Sequence, residues 1–273
     1  MSEAIRHAAT VLVVRDGDPG LEVYLLRRTK GMPFAGGMTA YPGGGVDERD
    51  ADTEIGWAGP TPAEWGEAFG CDERLARELV CAAVRETFEE AGVLLAGPAE
   101  GAVVPDVSGD DWEEQRQALL SRELSLTELL AGRGLVLRSD LLRPFAHWIT
   151  PPMESRRYDT KFFVAALPAG QEARDVSGEA DEAAWLSPAA ALAEHHAGDR
   201  PMLPPTSHTL SQLGRFPDVA AALAGSPPDP IQAVLPEFEQ TEEGRFAVLP
   251  NGDRVPLPPR PSGPHRGQEP SPS

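Results

Sequence analysis

Apolar residues first cluster in two short runs, at positions 8–14 and 22–26, separated by the turn-rich stretch DGDPG. Two such runs around Gly, Pro and Asp predict a β-hairpin, whose second strand leads into Arg27 and Arg28. A glycine-rich segment follows, GMPFAGGMTAYPGGG, suited to backbone that bends sharply or approaches another group closely. The clearest periodicity lies at 71–92. There Val80, Val84, Thr87, Phe88 and Ala91 fall on one helical face, and Glu86, Glu89 and Glu90 on the opposite one. Asp72 suits the start of this helix as its cap, and Gly92 stands where a left-handed C-terminal cap belongs.

Downstream, residues 111–130 read as an acidic helix. RSDLLRPFAHWIT and YDTKFFVAALP read as strands, the second alternating poorly and therefore expected to be buried. A short helix over 187–198 has Ser187 as cap and Pro188 at its first position, and a further helix is expected over 207–224. From Ser226 onward proline dominates, and the final dozen residues are expected to be disordered. No internal repeat is visible.

Composition narrows the classes. The 273 residues carry 43 Asp and Glu against 24 Lys and Arg, a formal net charge of −19. That field repels polyanions and speaks against nucleic acid as a partner, so an anionic small molecule would need locally placed cations. Two cysteines, Cys71 and Cys81, make no disulfide framework. No apolar run is long enough for a membrane span, and the N-terminus lacks the order of a signal peptide; a cytoplasmic protein without a membrane partner is expected, with a homodimer left open.

The chemistry lies in the run Arg85-Glu86-Thr87-Phe88-Glu89-Glu90-Ala91-Gly92-Val93. Spacings of three and four residues put three carboxylates on one helical face within reach of a common point. Clustered like charges repel, and a hard divalent cation such as Mg²⁺ relieves that repulsion while bridging to substrate phosphates. A solvated acidic helix face is the plain alternative.

This run resembles the second half of the Nudix box, G-x5-E-x7-R-E-U-x-E-E-x-G-U with U aliphatic. Arg85, Glu86, Glu89, Glu90, Gly92 and Val93 match it, and Thr87 departs mildly at an aliphatic position. Tyr41-Pro42-Gly43-Gly44-Gly45 supplies the loop glycine of the first half. Counted from Gly44, the first glutamate position falls on Asp50; the arginine, due at 58, stands at 85, so 27 residues interrupt the box. The resemblance implies an α/β fold, a Nudix-type α/β/α sandwich with a mixed central sheet. It implies a Nudix domain over 1–225 with insertions at about 46–71 and 98–134, and a Pro-rich extension over 226–273, partly disordered. It also implies Glu86, Glu89 and Glu90 as catalytic ligands of Mg²⁺ (or Mn²⁺), with Arg85 supporting one of them. Whether Asp50 keeps the first glutamate's role, and whether the insertion is a lid or a decoration, stays open.

The box names a reaction, hydrolysis of a diphosphate in a phosphorus-containing anhydride, and leaves the substrate to other residues. LLRRTKGMPFAGGMTAYPGG is similar to the motif preceding the box in coenzyme A diphosphatases. His147-Trp148-Ile149-Thr150-Pro151-Pro152, the run from Arg156 to Phe163, and Met202-Leu203-Pro204-Pro205-Thr206 look like the branch containing the mammalian peroxisomal enzyme, which also has an insertion in its box. Coenzyme A or acyl-CoA is thus the leading substrate. Candidate substrate contacts are Arg27, Arg28, Gly43, Gly44, Arg157 and Tyr158, since guanidinium groups bind phosphate bidentately; Tyr158 or Trp148 could stack on adenine. Trp148 as a core residue is the plain alternative. In the resembled family a glutamate on a later loop sometimes serves as base, and the spacing to Trp185 favours Glu179 over Glu182. His195 and His196 read as solvated residues at a helix end. A nucleotide-sugar or ADP-ribose diphosphatase is the alternative within the class, and a non-catalytic Nudix-like cofactor-binding module the alternative outside it.

Overall fold

The computed structural model describes residues 5–18, 20–32, 35–176, 178–225, 227, 230–242 and 244–257. The hairpin expected at the start forms from β1 (Arg6–Gly17) and β2 (Gly20–Arg28), antiparallel from Val14↔Val23 to Gly17↔Gly20. Beyond that register the two strands diverge, and the glycine-rich segment fills the gap. Its β3 (Thr39–Ala40) pairs with β2, and its β4 (Gly43–Gly45) pairs with β1 at Ala8–Thr10.

The interruption of the box is ordered. It holds a 3₁₀ turn at Glu48–Ala51, β5 (Trp57–Ala58) and helix α1 (Pro62–Phe69), capped by Thr61 and Glu64. Helix α2 (Glu73–Ala91) follows, with Asp72 accepting from Leu75 N and Gly92 closing it in the left-handed region at φ 64°. Then come β6 (Ala96–Gly97), α3 (Asp110–Leu120), α4 (Leu126–Gly132) and β7 (Val136–Arg138). The single helix expected over 111–130 is therefore two, because Ser125 and Glu128 form a capping box that starts a new helix.

Strands β8 (Leu142–Ile149) and β9 (Tyr158–Ala166) complete the core as expected, although Ser139–Leu141 is a 3₁₀ turn rather than strand. β10 (Ala180–Leu186) leads into α5 (Pro188–Ala197), where Ser187 accepts from Ala190 N. The helix expected over 207–224 starts earlier and is split into α6 (Pro204–Leu213) and α7 (Val219–Ala224), the second capped by Asp218. Gly214 and Pro217 lie in the break, and Pro204 supplies the earlier start. The Pro-rich extension also holds regular structure. Its described part carries a three-stranded sheet, β11 (Glu237–Thr241), β12 (Gly244–Val248) and β13 (Arg254–Pro256). Ile231 and Leu249 anchor it to the two cores, while the expectation for the final dozen residues lies outside the described residues.

The main sheet runs β10-β2-β1-β9-β8 and is mixed, since β1 and β9 pair in parallel and the other neighbours antiparallel. Alternation along β1 separates the two cores: Ala9, Val11 and Val13 face α1 and α2, while Leu12 and Val14 face α5, α6 and α7. The expected α/β/α sandwich is therefore the observed fold. α1 belongs to its core, with Trp65 and Phe69 both packed on Phe163 at ring-centroid distances of 5.4 and 5.1 Å.

Candidate active site

The site lies where β1 and β2 part and the glycines of β4 meet the C-terminal half of α2. Gly43 is required by close approach to the backbone of β1, and Gly44 leaves room for the Glu86 carboxylate. A Cβ on Gly43 would lie 2.5 Å from Ala9 O, and one on Gly44 2.6 Å from Glu86 Cδ. That proximity lets Gly43 N donate to Glu90 Oε2 at 2.9 Å. The face of α2 carrying the glutamates is therefore covered rather than solvated, and Glu89 and Glu90 are both buried.

Arg85 is the hub. Its Nε and Nη2 donate to the two oxygens of Asp50, each at 2.9 Å, and Nη2 also donates to Gly45 O at 3.0 Å. Nη1 donates to Glu86 Oε1 at 2.7 Å and Glu89 Oε2 at 3.1 Å. The Arg85 and Asp50 side chains are 4% and 1% exposed, so this is a buried, bidentate ion pair. The residue at the first acidic position of the interrupted motif thus returns to the arginine across the inserted segment. Thr87, the mild departure, is fully buried and its hydroxyl donates to Ala83 O at 2.7 Å, which lets a polar residue stand at an aliphatic position.

Comparison with known proteins agrees with this geometry. The sequence model of the NUDT19 Nudix domain matches residues 67–213. The chain belongs to the Nudix hydrolase family. It is similar to two proteins named acyl-coenzyme A diphosphatase NUDT19. That of Xenopus laevis is 23% identical over 86% of this chain and 71% of its own, and that of Gallus gallus 26% identical over 79% and 70%. A crystal structure of a Nudix hydrolase from Alicyclobacillus acidocaldarius superposes with a TM-score of 0.72 at 30% identity, covering 83% of this chain and 98% of that one. The chain is accordingly an enzyme that hydrolyses diphosphate bonds.

The electrostatics of this Nudix site follow from burial. Burial pushes Glu89 up to about 7 against the pull of Arg85, with Glu86 adding to the rise. Burial and the neighbouring Glu86 push Glu90 up to about 8, opposed by the Gly43 N–H. Glu86 is raised as well, again by burial first. Glu89 Oε1 is buried with no hydrogen-bond partner. In this arrangement, however, the three carboxylates do not meet at one point. Glu86 and Glu89 turn to Arg85 and Glu90 turns to Gly43, and among the described residues no three His, Cys, Asp or Glu side chains form a group that could hold a metal ion. The donors nonetheless suit a hard divalent cation: they are carboxylate oxygens, held against their ionised state by burial, one of them orphaned.

The other expected residues divide. Arg28 and Glu179 line a recess of about 10 Å³ with Glu90 and Tyr41, and Arg28 Nε is buried without a partner there. Arg27, one residue earlier, belongs to the opposite face of β2 and lies 3.7 Å from Glu182. Tyr158 lines a cleft of about 530 Å³ with Glu86 and Glu89, whereas Arg157 Nε is turned to Thr150 O at 3.0 Å. Trp148 is buried in the second core against His208, so it is not available to stack on a ligand. His195 and His196 occupy the last turn of α5 as expected, but only His196 is exposed; His195 is half-buried, its Nδ1 3.2 Å from Arg200 O. Cys81 is a buried free thiol.

Two contributions have no signal in the local sequence. Arg116 of α3 is buried, and its Nη1 donates to Glu89 O at 2.7 Å, placing a cation at the C-terminal, negative end of α2. Arg49 Nη1 donates to Leu124 O at 2.8 Å and its Nε to Asp47 Oδ1 at 3.1 Å, tying the 3₁₀ turn to the end of α3.

Proposed function

We propose that this chain cleaves the diphosphate of coenzyme A or an acyl-CoA with the help of Mg²⁺ or Mn²⁺, releasing a phosphopantetheine and adenosine 3′,5′-bisphosphate. The observation that carries the reading is the reunion of both halves of the interrupted Nudix box around the buried Arg85. The substrate class is supported by the acyl-coenzyme A diphosphatases to which most of the chain aligns.

Glu86, Glu89 and Glu90 are the residues that would hold the cation, which would neutralise phosphoryl oxygens and lower the pKa of water. Asp50 holds Arg85, and Arg85 in turn fixes the orientation of Glu86 and Glu89. The Gly43 N–H fixes Glu90. Glu179 is the candidate base: the recess it shares with Glu90 and Arg28, about 10 Å³, is on the order of one water in volume. A water there would pass a proton to the Glu179 carboxylate as its oxygen joins phosphorus, and the phosphate ester on the other side would leave. Arg28, beside Glu90, would offset the charge that builds on the phosphoryl oxygens. Arg27, Gly43, Gly44, Arg157 and Tyr158 were the other expected substrate contacts; of the side chains, Tyr158 fits this role through its place in the cleft.

The test is turnover of purified protein with Mg²⁺ on coenzyme A, ADP-ribose and a nucleotide sugar, with Glu90→Gln alongside. Cleavage of coenzyme A first, and loss of several orders of magnitude in the variant, is the expected result. Coenzyme A left intact while another diphosphate is cut would transfer the assignment. A small effect of Glu90→Gln would favour a binding module.

A further inference from the structure

Resting on the reading of coenzyme A as substrate, we propose that Arg122 is a substrate-binding residue that grips the phosphate monoester of coenzyme A at the mouth of the cleft. The cleft has a depth that side-chain exposure reveals. Glu86 and Glu89 are 13% and 7% exposed, whereas Arg122 is 74% exposed. Glu86, Glu89 and Arg85 form the buried part of the wall together with the Arg49–Asp47 pair, whereas the exposed charged residues on it, Arg6 and Arg122, are both cations. In a chain of net charge −19 that local excess is the feature an anionic ligand would find.

The backbone at Arg122 is the second observation. Arg122 follows Ser121, the C-cap of α3, and has φ 64°; among the described residues only one other non-glycine, Ala35, has positive φ. Glu123 N and Leu124 N both return to Ala118 O, at 2.9 and 3.1 Å, which closes the helix through a left-handed residue. Helices α1, α2 and α5 end on Gly70, Gly92 and Gly198 in the same conformation. Glycine adopts it freely and arginine does not, so α3 forgoes the residue that its own geometry favours. Arg49 holds this turn from both sides through Leu119 O and Leu124 O, and Asp47 lies 3.3 Å from Arg122 Nη2. The guanidinium is thereby presented at the lip of the cleft with most of its surface open, in the form suited to bidentate phosphate binding. With the scissile diphosphate at the inner carboxylates, the ester phosphate is the anion of coenzyme A left for the cation at the lip.

Arg122→Gly tests this without endangering the fold, because the variant residue suits the backbone better. The readout is kcat/KM on coenzyme A relative to its 3′-dephospho form, with a thermal melt of each protein. We expect the ratio to fall about tenfold, the order of one charge-assisted contact, mostly through KM and less so at high salt. The melting temperature should hold or rise, and Arg122→Lys should recover part of the ratio. An unchanged ratio overturns the inference, because a surface arginine merely paired with Asp47 predicts that outcome. An equal loss on both substrates also overturns it, since the contact would then be to the shared diphosphate. Wild-type protein that leaves coenzyme A intact overturns the substrate reading itself, and with it this inference.

Discussion

Asp50→Asn keeps the shape of the side chain and removes its charge, and its effect can be worked from the contacts. Asp50 Oδ2 accepts from both Arg85 Nη2 and Asp47 N, at 2.9 and 2.8 Å, while Oδ1 accepts from Arg85 Nε. An asparagine oxygen would take the position with two donors, leaving its amide facing Nε. One buried donor then loses its acceptor, which costs ~1–3 kcal/mol, and loss of the charge weakens the remaining bond to Nη2. Breaking a buried ion pair costs ~3–5 kcal/mol when the surviving charge is left uncompensated. Arg85 still has Glu86 and Glu89 at Nη1, so the lower end, ~3 kcal/mol, is expected here. At ~2–4 °C per kcal/mol for a domain of this size class, the melting temperature should drop by roughly 6–12 °C. Urea unfolding followed by tryptophan fluorescence would measure the difference, with an unchanged m-value showing that the denatured state is not the cause. Activity should fall further than stability alone explains, because Glu86 and Glu89 are drawn more strongly to an under-neutralised Arg85. A destabilisation below ~0.5 kcal/mol, the size of an ordinary surface change, would refute the claim that this pair locks the two halves of the box together.

Two more perturbations probe the same site. Gly44→Ala would set a methyl group 2.6 Å from Glu86 Cδ, and displacing that carboxylate by about an ångström should cost on the order of 10²-fold in kcat/KM. Wild-type turnover in that variant would mean that Glu86 has no fixed role. The pH dependence of the metal-free protein should also be inverted relative to a salt-bridged carboxylate. Folding raises Glu89 from 4.5 to about 7 and Glu90 from 4.5 to about 8, so between these limits the folded state binds more protons than the unfolded one. Stability from these groups is full below the unfolded value and declines as pH rises through the folded ones. Added Mg²⁺ should therefore raise the melting temperature more at pH 8 than at pH 5, and an increment that is flat with pH would argue against these carboxylates as ligands.

Legibility in the sequence followed the range of the interactions. Helix α2 was readable because Asp72 and Gly92 cap it locally and its apolar residues repeat at helical spacing. The β1–β2 hairpin was readable for the same reason. Counting along the motif located Asp50, but its pairing with Arg85 depends on the chain folding back across the interruption, which spacing does not encode. The burial of the glutamate face escaped the helical pattern, since its cover, β4, comes from a glycine run with no hydrophobic signature. Arg27 and Arg28 read as equivalent neighbours until strand alternation put one beside Glu90 and the other beside Glu182. The sheet in the C-terminal extension was masked by the prolines around it, although Gly244 marks its turn.

These same long-range contacts explain how a Nudix box can be interrupted and still close. An insertion between loop and helix adds chain entropy that must be offset before the loop can return to the helix, but that cost grows only slowly with length. Here the inserted chain is also anchored. Trp65 and Phe69 stack on each other and meet Phe163 of β9 at tilted and edge-on angles, which fixes α1 against the sheet beside α2. From the other side Trp112 packs edge-on against Phe88, and Arg116 reaches Glu89 O and Val176 O. Arg49 then joins the 3₁₀ turn bearing Asp50 to the end of α3. Asp50 is consequently held by tertiary structure at a position that an uninterrupted motif would hold by sequence proximity. What the proposed site calls for is a carboxylate facing Arg85, and the fold supplies it by a longer route.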